Sequence, residues 1–278
     1  MPELPEVETI ARALRQGGRG GPALVGRRIR GARLLWPRTL ATPSPRLFRA
    51  RIRGQEIREV SRRGKFLRLH LTRELLIFHL RMTGDLVVLA PGEPLPPFCR
   101  MVLICEDGTR LAFDDARKFG RAWLVADDSE LFSSLGPEPL EPGFRAEHLY
   151  RGLQERRRQL KPLLLDQSFL AGLGNIYTDE SLHRAGLHPL LPSDAVTRAQ
   201  AALLWQSIRR TLRKGIRRNG ASIDWAYRGG DFQTQLRAYG RTGSPCPACG
   251  APIERLLVGQ RGTHVCPRCQ PLPSRPCS

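Results

Sequence analysis

Apolar and polar residues alternate with the period of β-strands through much of the first half of the chain. Phe66–Leu71 alternates apolar and polar side chains, as in a half-buried strand, whereas Leu75–Leu80 is a continuous apolar run typical of a buried one. Turns rich in Gly and Asp separate the runs. The remaining predicted strands are Arg27–Leu35, Glu56–Val60, Leu86–Leu89, Arg110–Phe113 and Phe119–Val125.

Helical spacing appears at the N-terminus and again beyond residue 145. Apolar residues recur every three or four positions from Val7 to Leu14, and Pro5 has the fixed φ that suits a first helical turn. Glu6 lies where the positive end of the helix dipole favours a carboxylate. Further helices are predicted at His148–Arg158, Lys161–Gln167 and Ala199–Arg218. Another helix follows a Gly-rich turn and ends at Ala185.

A segment rich in Pro and Gly, residues 136–143, separates the strand pattern from the helical pattern and marks a domain boundary. We therefore expect four parts. They are an N-terminal domain at 1–136, a linker at 137–145, a helical domain at 146–240, and a small module with a tail at 241–278.

The charge of the chain indicates a polyanionic partner. Lys and Arg number 45 against 26 Asp and Glu, a net charge of +19, which favours nucleic acid binding. The alternative is a basic protein from an Arg-rich proteome, since only four residues are lysines. No apolar run has transmembrane length and no signal peptide is evident, so we expect a cytoplasmic protein.

The strongest local motif consists of two Cys-x-x-Cys pairs separated by sixteen residues. This spacing predicts one structural zinc ion bound by four thiolates, and a redox role for either pair is the weaker alternative. Arg261 lies at the tip of the hairpin that the motif predicts. The zinc ligands are Cys246, Cys249, Cys266 and Cys269, and Cys99, Cys105 and Cys277 remain as free thiols.

The first residues carry candidate chemistry. If Met1 is removed, Pro2 becomes a secondary amine able to form an iminium with a sugar, and Glu3 lies beside it for proton transfer. The alternative is that this segment only starts a helix. Lys65, in a basic setting before a strand, is either a phosphate contact or proton donor, or an ordinary solvated lysine.

Two turns place an apolar residue beside a cation, the combination needed to fill the gap left by an unstacked base. Met82 follows Arg81 in the first turn, and Phe119 follows Arg117 closely in the second. The alternative is that both apolar side chains pack inward. Asn175, behind a Gly-x-Gly turn at a helix N-terminus, offers a phosphate its amide and nearby N–H groups.

With these residues in view, the chain resembles the formamidopyrimidine-DNA glycosylase family of base-excision repair. The resemblance implies an α+β multidomain protein with an N-terminal two-sheet β-sandwich, flanking helices, a helix-two-turns-helix domain and a four-cysteine zinc finger. Eight motifs carry it in order: Met1–Thr9, Arg63–Lys65, His79–Gly84, Arg117–Gly120, Gly136–Leu140, Leu173–Tyr177, Tyr239–Arg241 and the finger.

The resemblance also implies the activity. The protein would excise oxidised purines such as 8-oxoguanine and formamidopyrimidines through a proline Schiff base, followed by β,δ-elimination. Its partner would be double-stranded DNA containing an oxidised base, bound by a monomer at the bacterial nucleoid. The implied catalytic residues are Pro2, Glu3, Glu6, Lys65 and Arg261. The implied DNA contacts are His79, Met82, Arg117, Phe119, Arg156, Lys161 and Asn175.

Several positions depart from the family pattern. Arg81 replaces a small residue, Ala116 and Lys118 replace a common Pro and Arg, and Phe98 stands where many members have a His. The loop at Asn219–Phe232 looks short, which bears on the lesion preference. Two alternatives remain: an endonuclease VIII-like enzyme for oxidised pyrimidines, disfavoured by the Glu3-Leu4-Pro5 start, and a non-catalytic zinc-ribbon protein that binds DNA.

Overall fold

The computed structural model describes residues 1–222, 227 and 229–272. The chain divides into two compact units. The first comprises Met1–Ser133 together with Arg218–Asp231, and the second comprises Ser134–Arg217 and the chain from Phe232 onward. The division lies close to the expected boundary at residue 136. Residues 218–231 return to the first unit, which the division of the sequence into consecutive domains did not predict.

The first unit contains three helices and nine strands among its described residues. The helices are α1 (Leu4–Gln16), α2 (Pro45–Ile52) and α3 (Ser129–Phe132). The strands are β1 (Ile29–Leu34), β2 (Leu40–Thr42), β3 (Ile57–Arg63), β4 (Phe66–Leu71), β5 (Leu75–His79), β6 (Gly84–Leu89), β7 (Cys99–Cys105), β8 (Arg110–Asp115) and β9 (Arg121–Val125).

These strands form two sheets that share one core. The first has the order β1-β7-β8-β6 and is antiparallel throughout, and the second has the order β2-β9-β5-β4-β3, with β2 parallel to β9. Phe78 of one sheet meets Phe113 of the other edge to face, with 5.4 Å between ring centroids. Apolar residues of both sheets and the buried face of α1 lie in the same cluster. This is the predicted β-sandwich with a flanking helix.

The second unit is helical and ends in a β-hairpin. Its helices are α4 (Ala146–Gln154), α5 (Leu160–Leu165), α6 (Asn175–Ala185) and α7 (Arg198–Arg217), and its strands are β10 (Glu254–Val258) and β11 (Arg261–Val265). Both α4 and α6 pack against α7. No helix in the described part of the chain combines the length and hydropathy needed to cross a bilayer.

The segment expected to be a linker is packed into the second unit. The Gly136 N–H donates to the Gln167 carbonyl at 2.9 Å, and the Arg209 guanidinium donates to the Pro139 carbonyl at 2.6 Å. A Cβ on Gly136 would lie 2.6 Å from the Ser168 carbonyl oxygen, so only glycine fits there. The Gly-Pro-Glu-Pro motif is therefore packed against the rest of this unit rather than forming a free linker.

Candidate active site

One buried carboxylate organises the N-terminus. Glu6 accepts a hydrogen bond from the Glu3 N–H at 2.8 Å and another from the Ala221 N–H at 2.8 Å. Glu3 and Glu6 are 3% and 2% exposed. Gly220 lies so close that an added Cβ would be 2.6 Å from a Glu6 carboxylate oxygen. Glu6 thus joins the first residues of the chain to the returning segment, and it acts by positioning them.

Pro2 is buried directly before α1. Its nitrogen forms the peptide bond with Met1, so it has no free electron pair for chemistry until Met1 is removed. The segment therefore does more than start a helix, because Glu6 fixes the backbone at Glu3 immediately after the predicted nucleophile. The roles of Pro2 and Glu3 stay predictions.

Lys65 lies in the tight turn between β3 and β4 and is only 5% exposed, so it is not an ordinary solvated lysine. Arg62 ties this turn to α1: its guanidinium donates to Glu8 at 3.2 Å and to the Gly64 carbonyl at 2.9 Å. The turn that carries Lys65 is therefore held against the helix that follows Pro2.

His79 ends β5 as a neutral ring. Burial, and after it the nearby cations Arg81 and Lys65, lower its pKa to about 3. Its Nδ1 accepts the Arg81 backbone N–H at 3.1 Å, so the ring proton belongs on Nε2. The edge-to-face contact with Phe66, 4.6 Å between centroids, fixes the ring. His79 can thus donate one hydrogen bond to a phosphate without carrying a charge.

The two turns predicted to carry wedge residues differ in exposure. Phe119 is 50% exposed, and the Arg117 guanidinium lies over its ring at 4.7 Å from the centroid. Met82 is half-buried. Phe119 therefore does not pack inward, and an exposed ring beside an exposed cation has the character expected of a wedge.

A polar tie between these turns was missed by the sequence reasoning. The Thr83 hydroxyl donates to the buried carboxylate of Asp115 and accepts the Arg117 N–H at 3.1 Å. Asp115 also accepts the Gly120 N–H at 2.7 Å. Asp115 is the last residue of β8, and nothing local to its sequence indicates that its partner lies 32 residues away.

Two departures from the family pattern occupy special backbone positions. Arg81 has φ +54° and Lys118 has φ +60°, in the left-handed region that favours glycine. The Lys118 ammonium lies 4.4 Å from the centroid of the Trp36 ring, which fixes the second turn by another route.

The structure corrects the DNA contact predicted for Lys161. Its side chain is fully buried, and the ammonium binds Asp179 at 2.6 Å and the Thr263 hydroxyl at 2.8 Å. A third bond runs to the Gly262 carbonyl at 3.2 Å. A buried ammonium with these partners cannot reach a phosphate. Lys161 instead joins α5 and α6 to β11.

The other two contacts predicted in this unit differ in their exposure. The Arg156 side chain is 41% exposed, with its guanidinium over Phe169 at 5.2 Å from the centroid. Asn175 begins α6, and its amide donates to the Gly262 carbonyl at 3.0 Å. Asn175 and Lys161 therefore meet at one carbonyl, next to Arg261, and both hold the finger tip in place.

The four cysteines have the arrangement of a zinc site. Their sulfur atoms all lie within 4.8 Å of one another. The Sγ distances are 3.9 Å for Cys246–Cys269 and 3.4 Å for Cys249–Cys266. A zinc ion with bonds of about 2.3 Å to four sulfurs requires edges of about 3.8 Å. The donor set therefore fits one tetrahedral, closed zinc ion.

Two histidines near the finger are accounted for without being ligands. His264 Nδ1 lies 3.2 Å from Asp179, whose carboxylate also accepts the His264 N–H at 2.9 Å. His183 Nε2 lies 3.3 Å from the Cys246 sulfur, a contact that orients the thiolate.

Two of the remaining cysteines have no reactive setting. Cys99 and Cys105 are buried, and burial raises the pKa of the Cys99 thiol to about 11. Cys277 lies outside the described residues. So do positions 223–226 and 228 of the loop that looked short, so its effect on lesion preference stays an expectation.

Comparison with known proteins identifies the family. Residues 1–122, 135–226 and 243–272 match models of the formamidopyrimidine-DNA glycosylase N-terminal domain, its H2TH domain, and the zinc finger found in FPG and IleRS. The chain is 44% identical to formamidopyrimidine-DNA glycosylases of Protochlamydia amoebophila and Herpetosiphon aurantiacus, with 97% of this chain and 99% and 100% of theirs covered.

Solved structures agree with this assignment. One is Lactococcus lactis FPG with Fapy-dG containing DNA, at a TM-score of 0.88 and 35% identity, covering 97% of this chain and all of that one. Another is MutM with carbocyclic 8-oxo-G containing DNA, at a TM-score of 0.89 and 35% identity, covering 98% and 100%. The chain therefore belongs to the formamidopyrimidine-DNA glycosylase family.

Proposed function

We propose that this protein is a bifunctional DNA glycosylase and AP lyase that excises oxidised purines from duplex DNA. The observation that carries the proposal is the buried Pro2-Glu3 start, held at Glu3 by Glu6, in a chain that matches all three parts of the family. Solved relatives hold DNA containing carbocyclic 8-oxo-G, Fapy-dG or an abasic site.

The chemistry begins at Pro2 after loss of Met1. The nitrogen lone pair forms a bond to C1′ of the damaged nucleotide as the bond from C1′ to the base breaks, and the base leaves with that electron pair and the proton that the Pro2 nitrogen releases. Glu3 then protonates O4′ as the sugar ring opens, which leaves the iminium between Pro2 and C1′. Glu6 keeps the backbone of Glu3 in place during these steps.

The strand is cut by two eliminations from the iminium. Loss of a proton from C2′ expels the phosphate oxygen on C3′, and a second elimination expels the one on C5′. Lys65, buried in its turn, assists the first step and contacts phosphate. Arg261, exposed at the finger tip, assists the second. An amine that is less basic than lysine suits the first attack, because more of it is unprotonated near neutral pH.

The DNA contacts support extrusion of the damaged nucleotide. Unstacking costs a few kcal/mol, least for a damaged pair. Phe119 and Met82 fill the space, while Arg117 binds the base left behind or a phosphate. His79 donates from Nε2 to a phosphate, and Arg156 and Asn175 add further contacts. Zinc takes no part in the chemistry: its four thiolates hold the finger that carries Arg261.

A bacterial chromosome is the source of this substrate. Because the relatives are bacterial formamidopyrimidine-DNA glycosylases, we place the working location of this protein at the nucleoid.

Glu3→Gln tests the proposal. The variant should bind a duplex with 8-oxoguanine opposite cytosine within about threefold of wild type, yet excise the base at least about 100-fold more slowly, because a proton-transfer group is lost. Single-turnover excision and fluorescence anisotropy measure the two effects. Full excision by the variant would remove Glu3 from the mechanism. Faster excision of an oxidised pyrimidine by wild type would assign the other lesion class.

A further inference from the structure

The C-terminal half of α7 carries a row of unneutralised cations. The twenty residues of this helix include no Asp or Glu. Arg210, Arg213 and Arg217 are exposed and follow one another at helical spacing. Like charges three or four residues apart destabilise a helix by a few tenths of a kcal/mol per pair. The row therefore costs stability in the isolated protein.

The row forms one wall of a groove with a volume of about 400 Å³. The Arg209 guanidinium lies 4.8 Å above the Trp205 ring and donates to the Pro139 and Glu141 carbonyls, so the floor of the groove is fixed. The lining consists of Trp205, Gln206, Arg209, Arg210, Arg213 and Arg217. We call this feature the α7 groove.

Several exposed arginines of this unit have carboxylate partners, whereas those of the groove have none. Arg198, at the start of the same helix, and Arg151 both bind Glu147, at 2.5 and 3.0 Å. Arg158 binds Asp166 at 2.7 Å. Within residues 1–222 and 229–272, no carboxylate lies within 4.0 Å of a guanidinium that lines the groove.

The repulsion between positive charges extends to arginines beside the row. Burial lowers the pKa of Arg184, and the adjacent guanidinium groups of Arg210 and Arg237 lower it further. Burial and then Arg213 lower the pKa of Arg209. The Nε atoms of Arg184 and Arg237 are buried and lack a hydrogen-bond partner among the residues described. An anion in the groove would relieve the repulsion that Arg210 and Arg213 exert on these neighbours.

We propose that the α7 groove binds the phosphate backbone of duplex DNA outside the lesion site. From Gln206 to Arg217 the lining of the groove extends over about 16 Å of helix, which is longer than a single phosphate. Guanidinium groups match phosphate oxygens in pairs, which favours a phosphate backbone over an acidic peptide of less regular spacing. None of the lining residues belongs to the set assigned to excision or to the flipped nucleotide.

The test compares two double variants with equal charge loss. Arg210→Ala/Arg213→Ala removes the exposed centre of the groove, and Arg151→Ala/Arg198→Ala removes two paired arginines of the same unit. The lesion site is first filled with an unlabelled 12-base-pair duplex carrying an abasic analogue. Binding of a labelled, undamaged 30-base-pair duplex is then measured by anisotropy from low to moderate salt. Thermal melting confirms that each variant is folded.

Wild type should bind the second duplex, and the groove variant should bind it at least about fivefold more weakly, with a salt slope reduced by about two. The control pair should change binding less than twofold. The groove variant could instead lose affinity only for one long duplex that carries the lesion and the DNA beside it. That result would also support the inference, with the groove binding the DNA next to the lesion. Excision from a short lesion duplex should stay unchanged in both variants, which separates this inference from the proposed function.

Three results would overturn the inference. They are no difference between wild type and the groove variant on any duplex, equal losses in the two double variants, and displacement of the DNA by polyglutamate at a lower charge concentration than by competitor duplex. The last would assign the groove to an acidic protein instead. Arg210→Lys/Arg213→Lys should lie between wild type and the alanine variant, since charge remains without the planar fork.

Discussion

At the scale of single residues, burial decides what each polar side chain can do. His79 is held neutral by its surroundings and donates from one nitrogen, whereas Lys161 is withdrawn from solvent and serves the fold. The family resemblance implied a DNA contact for both of these basic residues. Their chemistry differs because one ends a strand near the turn of Arg81 and the other is enclosed by Asp179 and Thr263.

The neutral state of His79 predicts a pH dependence of stability. Its pKa is about 3 in the folded protein against about 6.5 in the unfolded chain, so the unfolded chain binds the extra proton between these values. The stabilisation is complete above pH 6.5 and is lost as pH falls toward 3, at up to about 1.4 kcal/mol per pH unit. Between pH 7.5 and pH 5, the free energy of unfolding of His79→Gln should therefore fall by about 2 kcal/mol less than that of wild type.

Urea unfolding of the two proteins at both pH values measures this difference. His148→Gln, which removes an exposed ring in the second unit, serves as the control for loss of a histidine. Equal pH dependence in wild type and His79→Gln would contradict a neutral, buried His79.

At the scale of elements, short polar ties hold functional turns in place. Thr83 joins the two turns that carry Met82 and Phe119, and the Lys161–Asp179 pair joins two helices to the finger strand. Neither tie has a local sequence signal, because the partners are far apart in the chain. Thr83 and Asp115 are 32 residues apart, and Lys161 is 18 residues from Asp179 and 102 from Thr263.

Thr83→Val should loosen the two wedge turns. The substitution keeps the shape of the side chain but leaves the Asp115 carboxylate and the Arg117 N–H without their partner, at a cost of about 1–3 kcal/mol. Affinity for a lesion duplex should fall about tenfold, with a smaller loss for undamaged DNA. Thr72→Val, at an exposed hydroxyl of the same unit, is the matched control. Equal losses on both DNAs would show that the tie does not position the wedge.

Lys161→Met should destabilise the protein by about 3–5 kcal/mol, because it leaves the fully buried Asp179 carboxylate without its ion pair. Lys161→Met/Asp179→Leu should recover part of that loss, since both charges are then removed. Thermal unfolding of the two variants measures the difference. A Lys161→Met protein of full stability that binds DNA weakly would restore the predicted DNA contact.

The sequence predicts those features whose signal is local. Strand periodicity, the cysteine spacing and the helix start at Pro5 each predict the element found there. The same reasoning did not include β7, whose apolar run begins at Met101, or α2, which Ser44 caps through the Leu47 N–H. It also mistook Lys161 for a DNA contact, because burial depends on partners far along the chain.

At the scale of the whole molecule, chain order and spatial order differ. Residues 218–231 follow α7 yet belong to the first unit, where Ala221 binds Glu6 and Tyr227 joins the core. The contact between Glu6 and Ala221 spans 215 residues. The N-terminal segment is therefore held by a part of the chain that comes after α7, which a division of the sequence into consecutive domains cannot describe.

Removal of zinc should abolish DNA binding without unfolding the first unit. The finger has a small core of cysteines and a few apolar residues, so its fold depends on the metal. Chelation under reducing conditions should bring lesion binding to background, with most of the β-sandwich signal retained in circular dichroism, and added zinc should restore binding. Retained affinity after complete loss of zinc would contradict a structural role for the ion.

The central claim is that Pro2 is the nucleophile, and borohydride trapping tests it most directly. The protein is incubated with a duplex carrying 8-oxoguanine opposite cytosine, reduced, digested and mapped by mass spectrometry. The account predicts a single adduct on the nitrogen of Pro2 in a chain that lacks Met1. An adduct on Lys65 or another lysine, or no adduct despite tight binding, would contradict it.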